Sequence, residues 1–334
     1  MASVTVLGAG SWGTALAIHL RSLGHRATLW ARNAALACRM ATAGENAAYL
    51  PGIQLPPELT LTSDIGAACD GADMLVCACP SSGMRSLAEQ AKTVLRGNPL
   101  VVTAAKGVEQ GTSMTMSAIL ADVLGATRGQ RVAVLSGPSF AREVARGVPT
   151  AVTVAARDTG VAEAVQHLFN GPTFRVYTSD DVVGVEIGGA VKNIIALGAG
   201  VSDGLGFGSN SRAALITRGL AEIARLAIRL GAHRHTLAGL SGLGDLVLTC
   251  TGDLSRNRSV GLRLGAGERL SDILAGMAEV AEGITNTRSV RDLARSVGVE
   301  MPITEQMYLL LYENKPPRQV VVDLMTRGLR PEAD

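Results

Sequence analysis

Lys192 lies inside GVEIGGAVKNIIALGAG, residues 184–200, a stretch with the aliphatic rhythm of a buried helix. A free lysine titrates at about 10.4, and burial or a neighbouring cation lowers that value toward the range in which an amine exchanges protons in neutral water. Gly188 and Gly189 stand four and three positions before it. Each glycine costs a helix about 1 kcal/mol relative to alanine, so the pair needs a compensating reason. Helical spacing puts both on the face of Lys192, and two explanations fit. The missing side chains leave room for a ligand beside the amine, or they admit a closely packed helix while Lys192 extends to water.

Partners for that amine occur in SGLGDLVLTCTGDLSRNRSVG, residues 241–261. Asp245 and Thr249 share a helical face, so Asp245 can hold the Lys192 amine while Thr249 contacts a substrate. Ser255, Arg256 and Asn257 stand at a helix start, where N–H groups and an arginine suit a terminal phosphate. Asp245 and Ser255 fit equally as helix caps, and Arg256 as a solvated charge. Lys106, in TAAKGVEQG, follows a strand and precedes Gly107, which places a second ammonium at the same crevice. Lys106 and a nearby arginine would lower the pKa of Lys192. In LSGPSFAREV, Gly137 and Ser139 offer a close backbone approach and a hydroxyl, although a Gly-Pro turn with a capping serine accounts for them nearly as well.

A cofactor site precedes these residues. VTVLGAG (4–10) reads as a strand, and SWGTALAIHLRSLGH (11–25) repeats Leu16, Leu20 and Leu23 at helical spacing. The turn between them carries Gly8-x-Gly10-x-x-Gly13, with Ser11 and Trp12 inside it. In a dinucleotide fold the first glycine permits the turn, the second lets backbone approach a pyrophosphate, and the third lets helix and strand pack closely. The second strand, RATLWAR (26–32), ends where an acidic residue would hold a ribose hydroxyl. Arg32 stands there instead and suits a 2′-phosphate, so NADP is expected to be accepted and NAD not excluded.

Such residues need a scaffold, and the pattern supplies one. Further strands are expected at 73–79, 99–105, 131–137, 150–156 and 174–179, alternating with helical or loop segments. That alternation predicts an α/β fold with a Rossmann-type, doubly wound, mostly parallel sheet over residues 1–180. After about residue 180 strand signals vanish. Helices are expected at 181–200, 209–231, in a series through 236–276, and at 286–297 and 302–313, giving a C-terminal all-α domain over 181–334.

Composition removes other classes. The chain has 334 residues, 47% hydrophobic, 3% aromatic, with a formal net charge of +2. That charge and aromatic content supply neither a basic field nor stacking rings for nucleic acid. No run approaches the roughly 18 uninterrupted apolar residues of a spanning helix, and the N-terminus shows no signal-peptide pattern. The five cysteines form no CxxC pair and the five histidines no HExxH motif, so no metal is expected.

The blocks GAGSWGTALA, LWAR, AAKGVE, LSGPSFAREV, GVEIGGAVKNIIALGAG, GLGDLVLTC, SRNRSVG and VAEG together resemble the bacterial-type NAD(P)-dependent glycerol-3-phosphate dehydrogenases. The resemblance implies interconversion of sn-glycerol 3-phosphate and dihydroxyacetone phosphate, feeding glycerophospholipid synthesis, by a cytoplasmic and often dimeric enzyme. It implies that Lys192 is the proton acceptor and that Lys106, Gly137, Ser139, Asp245, Ser255, Arg256 and Asn257 contact substrate. Ser11, Trp12, Arg32, Lys106, Ala141, Arg256, Val280 and Glu282 would contact cofactor. Ala281 departs from the bulkier aliphatic usual in VVEG. Two alternatives remain at this level: a related β-hydroxy acid dehydrogenase, from which SRNRSVG and LSGPSF separate the chain, and a non-catalytic nucleotide sensor.

Overall fold

The computed structural model describes residues 1–277, 281–329 and 331–332. Eight strands form one sheet: β1 (Ser3–Leu7), β2 (Arg26–Trp30), β3 (Thr60–Thr62), β4 (Met74–Cys77), β5 (Leu100–Thr103), β6 (Val132–Ser136), β7 (Thr150–Ala156) and β8 (Phe174–Ser179). Their order is β3-β2-β1-β4-β5-β6-β7-β8. Neighbours run parallel except β6 and β7, which pair antiparallel with Leu135 opposite Val154. β7 and β8 are parallel again and joined through the helix Thr159–Phe169. The central strands are buried along their length, as expected for a sheet covered on both faces. The short edge strand β3 was not expected, because three residues show no readable alternation.

Strand order reverses between β1 and β4, the place where such sheets open a crevice at their carboxyl ends. The Gly8–Gly13 turn, the Cys79–Pro80 segment and the Lys106 loop all leave strands at that end. The Rossmann-type domain therefore presents one row of loops to whatever packs opposite.

What packs opposite is helical from Val182 onward among the described residues. Its axis is the helix Val182–Gly204, with Asp181 capping Gly184 N–H at 2.8 Å. This lysine helix is long and apolar enough to cross a membrane by composition, yet 89% of its apolar window is buried. It is a core helix. Ile194, Ile195, Leu197 and Val201 anchor a cluster with residues from Ser209–Arg229, Glu282–Ser296 and Pro302–Tyr312.

Glycines set how near its neighbours come. A Cβ at Gly200 would lie 2.0 Å from Arg258 O, and one at Gly261 2.0 Å from Leu197 O. Gly204 and Gly265 meet Leu262 O and Val201 O at 2.1 and 2.4 Å in the same construction. The helix Arg256–Gly265 therefore lies backbone to backbone on the lysine helix. Gly188 serves a similar end: its Cβ would lie 2.8 Å from Ser241 O, in the π-helical turn Leu240–Gly244 that precedes Asp245. Close packing, not ligand space, explains this glycine.

Glu186, a charge near the start of the lysine helix, ties the two halves together. Its carboxylate accepts Ser117 N–H at 2.8 Å and Ser117 O–H at 2.6 Å, at the start of the helix Met116–Leu124. Burial raises its pKa, and the Ser117 bonds oppose that rise.

Alanine at Gly261 gains about 1 kcal/mol of helix propensity. It meets a carbonyl that cannot move without its helix. Gly261→Ala is expected to lower stability by about 1–3 kcal/mol or more, read from urea unfolding; unchanged stability would refute the close contact.

Candidate active site

The cleft between the sheet's carboxyl end and the lysine helix has a volume of about 730 Å³. At its floor Lys192 Nζ donates to Asp245 Oδ1 at 2.5 Å, and Lys106 Nζ donates to Asp245 Oδ2 at 2.6 Å. One carboxylate thus holds two ammonium groups. The side chains of Asp245, Lys192 and Lys106 are 1%, 9% and 17% exposed. Lys192 also donates to Thr249 Oγ1 at 2.7 Å, whose own hydroxyl donates to Asp245 O at 2.6 Å.

Burial is the chief cause that lowers the Lys192 pKa to about 8; Asp245 opposes the shift and Lys106 adds to it. Arg256 stands in the same cleft and acts on Glu282, whose pKa is raised by burial and lowered in turn by Ser81 and Arg256. Gly189 instead lies against Ser136: a Cβ there would lie 3.0 Å from its Oγ, with the Lys106 stem beyond at 3.4 Å, an ordinary contact distance. The glycine pair is thereby split, one admitting a backbone turn and the other the Ser136 hydroxyl.

The fingerprint turn passes a test of fit for a dinucleotide. Gly8 has φ +128°, and a Cβ there would lie 2.6 Å from Ala78 O. Gly13 would place a Cβ 1.9 Å from Gly8 O, whereas nothing lies within 4 Å of that point on Gly10. The middle glycine alone presents open backbone, at the start of the helix Ser11–Ser22. Asn46 supports the turn from behind, donating to Ala9 O at 2.9 Å and Thr14 Oγ1 at 2.8 Å.

Two family models match the chain: the NAD-dependent glycerol-3-phosphate dehydrogenase N-terminus over residues 3–162 and its C-terminus over residues 181–322. The chain belongs to this family. A glycerol-3-phosphate dehydrogenase [NAD(P)+] of Syntrophotalea carbinolica is 55% identical, the match covering 99% of this chain and 100% of that one. One from Geobacter sulfurreducens is 54% identical over 98% of both chains. The crystal structure of glycerol-3-phosphate dehydrogenase from Coxiella burnetii superposes with a TM-score of 0.92 at 40% identity, covering 98% of this chain and 99% of that one.

In this dehydrogenase fold the cleft brings together Gly8, Gly10, Ser11, Trp12, Arg32, Lys106, Ser139, Ala141, Lys192, Asp245, Thr249, Ser255, Arg256, Asn257 and Glu282. Gly13 sits behind the turn. Gly137, with φ +144°, is held against Val152, and its carbonyl accepts Ser139 O–H at 3.0 Å and Lys106 Nζ at 3.4 Å. Val280 lies outside the described residues.

Local roles sharpen several expectations. Ser255 is the cap of the helix Arg256–Gly265 and accepts Arg258 N–H at 3.2 Å. Asp245 caps nothing; it serves the lysines. The Asn257 side chain is engaged with other helices, donating to Asn193 Oδ1 at 3.0 Å and accepting Gly283 N–H at 2.9 Å; its second Nδ2 hydrogen and the first-turn backbone are what it offers an anion. Thr249 engages Lys192 directly. Asn193 and Ser81 went unread: Asn193 lines the cleft beside Lys192, and Ser81 donates to Glu282 through N–H at 3.1 Å and O–H at 2.5 Å. A polar pair inside an apolar helix was the readable signal for Asn193. Ser81 had none.

Removing the Lys106 charge takes away one of the two causes that depress Lys192. In Lys106→Ala the Lys192 amine is expected to titrate above the wild-type value of about 8, measured by ε-carbon NMR. A midpoint that stays put would show that the two amines do not interact.

Proposed function

We propose that this chain interconverts sn-glycerol 3-phosphate and dihydroxyacetone phosphate with NAD(P) through the lysine–aspartate–lysine floor of the cleft. The single observation that carries the reading is the Asp245 carboxylate shared by Lys192 and Lys106. The family membership and the resemblance of the whole chain to [NAD(P)+]-dependent relatives support it.

The nicotinamide, when bound, supplies or accepts the hydride. Gly8, Gly10 and Gly13 shape the turn that would hold the pyrophosphate. Ser11, Trp12, Ala141, Val280 and Glu282 would flank the rest, and Arg32, exposed just beyond β2, would face a 2′-phosphate. For alcohol oxidation, neutral Lys192 accepts the hydroxyl proton while Asp245 and Thr249 fix its amine. Protonated Lys192 returns that proton to the carbonyl oxygen in the reverse direction. An ammonium has three donors, and the two held by Asp245 and Thr249 leave one for the reacting oxygen. Lys106, Gly137 and Ser139 line the approach, and the helix start at Ser255, Arg256 and Asn257 receives the phosphate.

We put the division between dinucleotide-binding and substrate domains at residues 180 and 181; the change from strand to helix between β8 and the lysine helix supports it. By the same family resemblance we assign a role in supplying glycerophospholipid synthesis, a cytoplasmic location and a homodimer.

The sign of the pH dependence follows from which form of Lys192 each direction needs. Oxidation should fall as pH drops below about 8, and reduction should fall as pH rises above it. NADPH oxidation with dihydroxyacetone phosphate should greatly exceed that with dihydroxyacetone; equal rates would remove the phosphate site. In the same assay Lys192→Ala should lose at least about 100-fold in turnover with cofactor binding intact, and full activity would remove Lys192 from proton exchange. Arg32→Ala is expected to weaken NADPH more than NADH, and matched losses would take Arg32 away from the 2′-phosphate.

A further inference from the structure

Among the described residues the Asn286 amide bonds backbone carbonyls, and it links the two chain segments that carry the amines. Its Nδ2 donates to Lys106 O at 3.2 Å and reaches Ala190 O at 3.5 Å. Lys106 belongs to the loop leaving β5 in the sheet domain, and Ala190 stands two residues before Lys192 in the helical domain. The residue itself is 1% exposed. Its Oδ1 is buried with no hydrogen-bond partner among the described residues, so the side chain is placed by its donor end.

The Lys106 loop needs such a tie. Gly107 has no side chain to anchor it, and none could fit: a Cβ there would lie 2.5 Å from Ser81 Cβ and 2.7 Å from Asn286 Oδ1. Beyond Gly107 the loop is anchored by Val108, buried in the helical cluster and bridged to Thr115, and by Glu109, held by the Arg85 guanidinium at 2.8 and 2.9 Å. On the near side of Gly107 the backbone carbonyl of Lys106 is gripped by Asn286. Glu282 lies one helical turn before Asn286 and holds Ser81, so the same face of the helix Glu282–Ser296 grips both sides of Gly107.

We propose that Asn286 is a positioning residue: its amide ties the Lys106 loop to the Lys192 helix and so holds both amines on the Asp245 carboxylate. The groups facing Lys192 are Asp245, Thr249 and Cys250 from the helix Asp245–Thr251 and Lys106 from the sheet domain. Of these only Lys106 is on a loop secured by Asn286. Its displacement weakens the cationic influence on Lys192 and leaves the other groups in place. The kinetic consequence rests on Lys192 being the proton acceptor; the positioning itself does not.

The test uses Asn286→Leu, close in volume and without a donor, with Asn286→Ala as a second variant should the first fail to fold. ε-Carbon NMR of the protein without added cofactor reads the Lys192 titration, and steady-state kinetics read kcat, the cofactor KM and the acid limb of glycerol 3-phosphate oxidation. The Lys192 midpoint is expected to rise by about one unit, with kcat reduced about 10- to 100-fold and the cofactor KM unchanged. The acid limb should move to higher pH with the midpoint. A wild-type midpoint in a folded variant overturns the proposal. A raised midpoint with an unmoved acid limb upholds the positioning and instead removes Lys192 from proton exchange.

Discussion

A buried carboxylate serving two ammonium groups organises this molecule. Asp245 is 1% exposed and bridges Lys192 from the helical domain to Lys106 from the sheet domain. Taking charges out of water is costly unless each is paired and hydrogen-bonded, and here one anion answers two cations. The arrangement carries an excess positive charge that burial penalises. Burial itself is the chief cause that brings the Lys192 pKa to about 8; Asp245 holds it up and Lys106 adds a smaller push downward. The low pKa follows from a buried position that the fold maintains.

Keeping that position buried requires close approach from several directions. Gly188 lets the turn before Asp245 settle on the lysine helix, and Gly189 lies close against the Ser136 hydroxyl. Gly200 and Gly261 bring the helix Arg256–Gly265 into backbone contact with the lysine helix. The start of that helix consequently stands at the same cleft as Lys192, beside the proposed proton-exchanging amine. On the other wall, the reversal of strand order between β1 and β4 opens the turn in which Gly10 exposes its backbone. Domain packing and site geometry are the same set of contacts here.

Much of this was legible along the chain. The strands β1, β2 and β4 to β8 announced themselves as β-branched and aliphatic runs, since a sheet covered on both faces needs continuous apolar strands. Asp245 and Thr249 were paired by helical spacing, and Lys192 was joined to them by the need of a buried amine for a carboxylate. Other features had no local signal. The π-helical turn before Asp245 reads as an ordinary glycine-rich link, and the Asn193, Asn257 and Gly283 hydrogen-bond chain joins three helices far apart in sequence. The action of Arg256 on Glu282, on the helix Glu282–Ser296, likewise has no local signal.

The sequence by itself determined the two halves, the glycine turn for a dinucleotide, and the residue types that exchange a proton and receive a phosphate. Those properties follow from local rules: side-chain periodicity, backbone freedom at glycine, and the intrinsic acidity of each group. Only the tertiary structure decided which cation lowers Lys192, why each glycine of the pair is there, and that Asn257 turns its side chain inward. Those are outcomes of distance and burial between segments of opposite domains. A lysine becomes a proton acceptor only when packing has removed water from around it and set a second charge beside its partner.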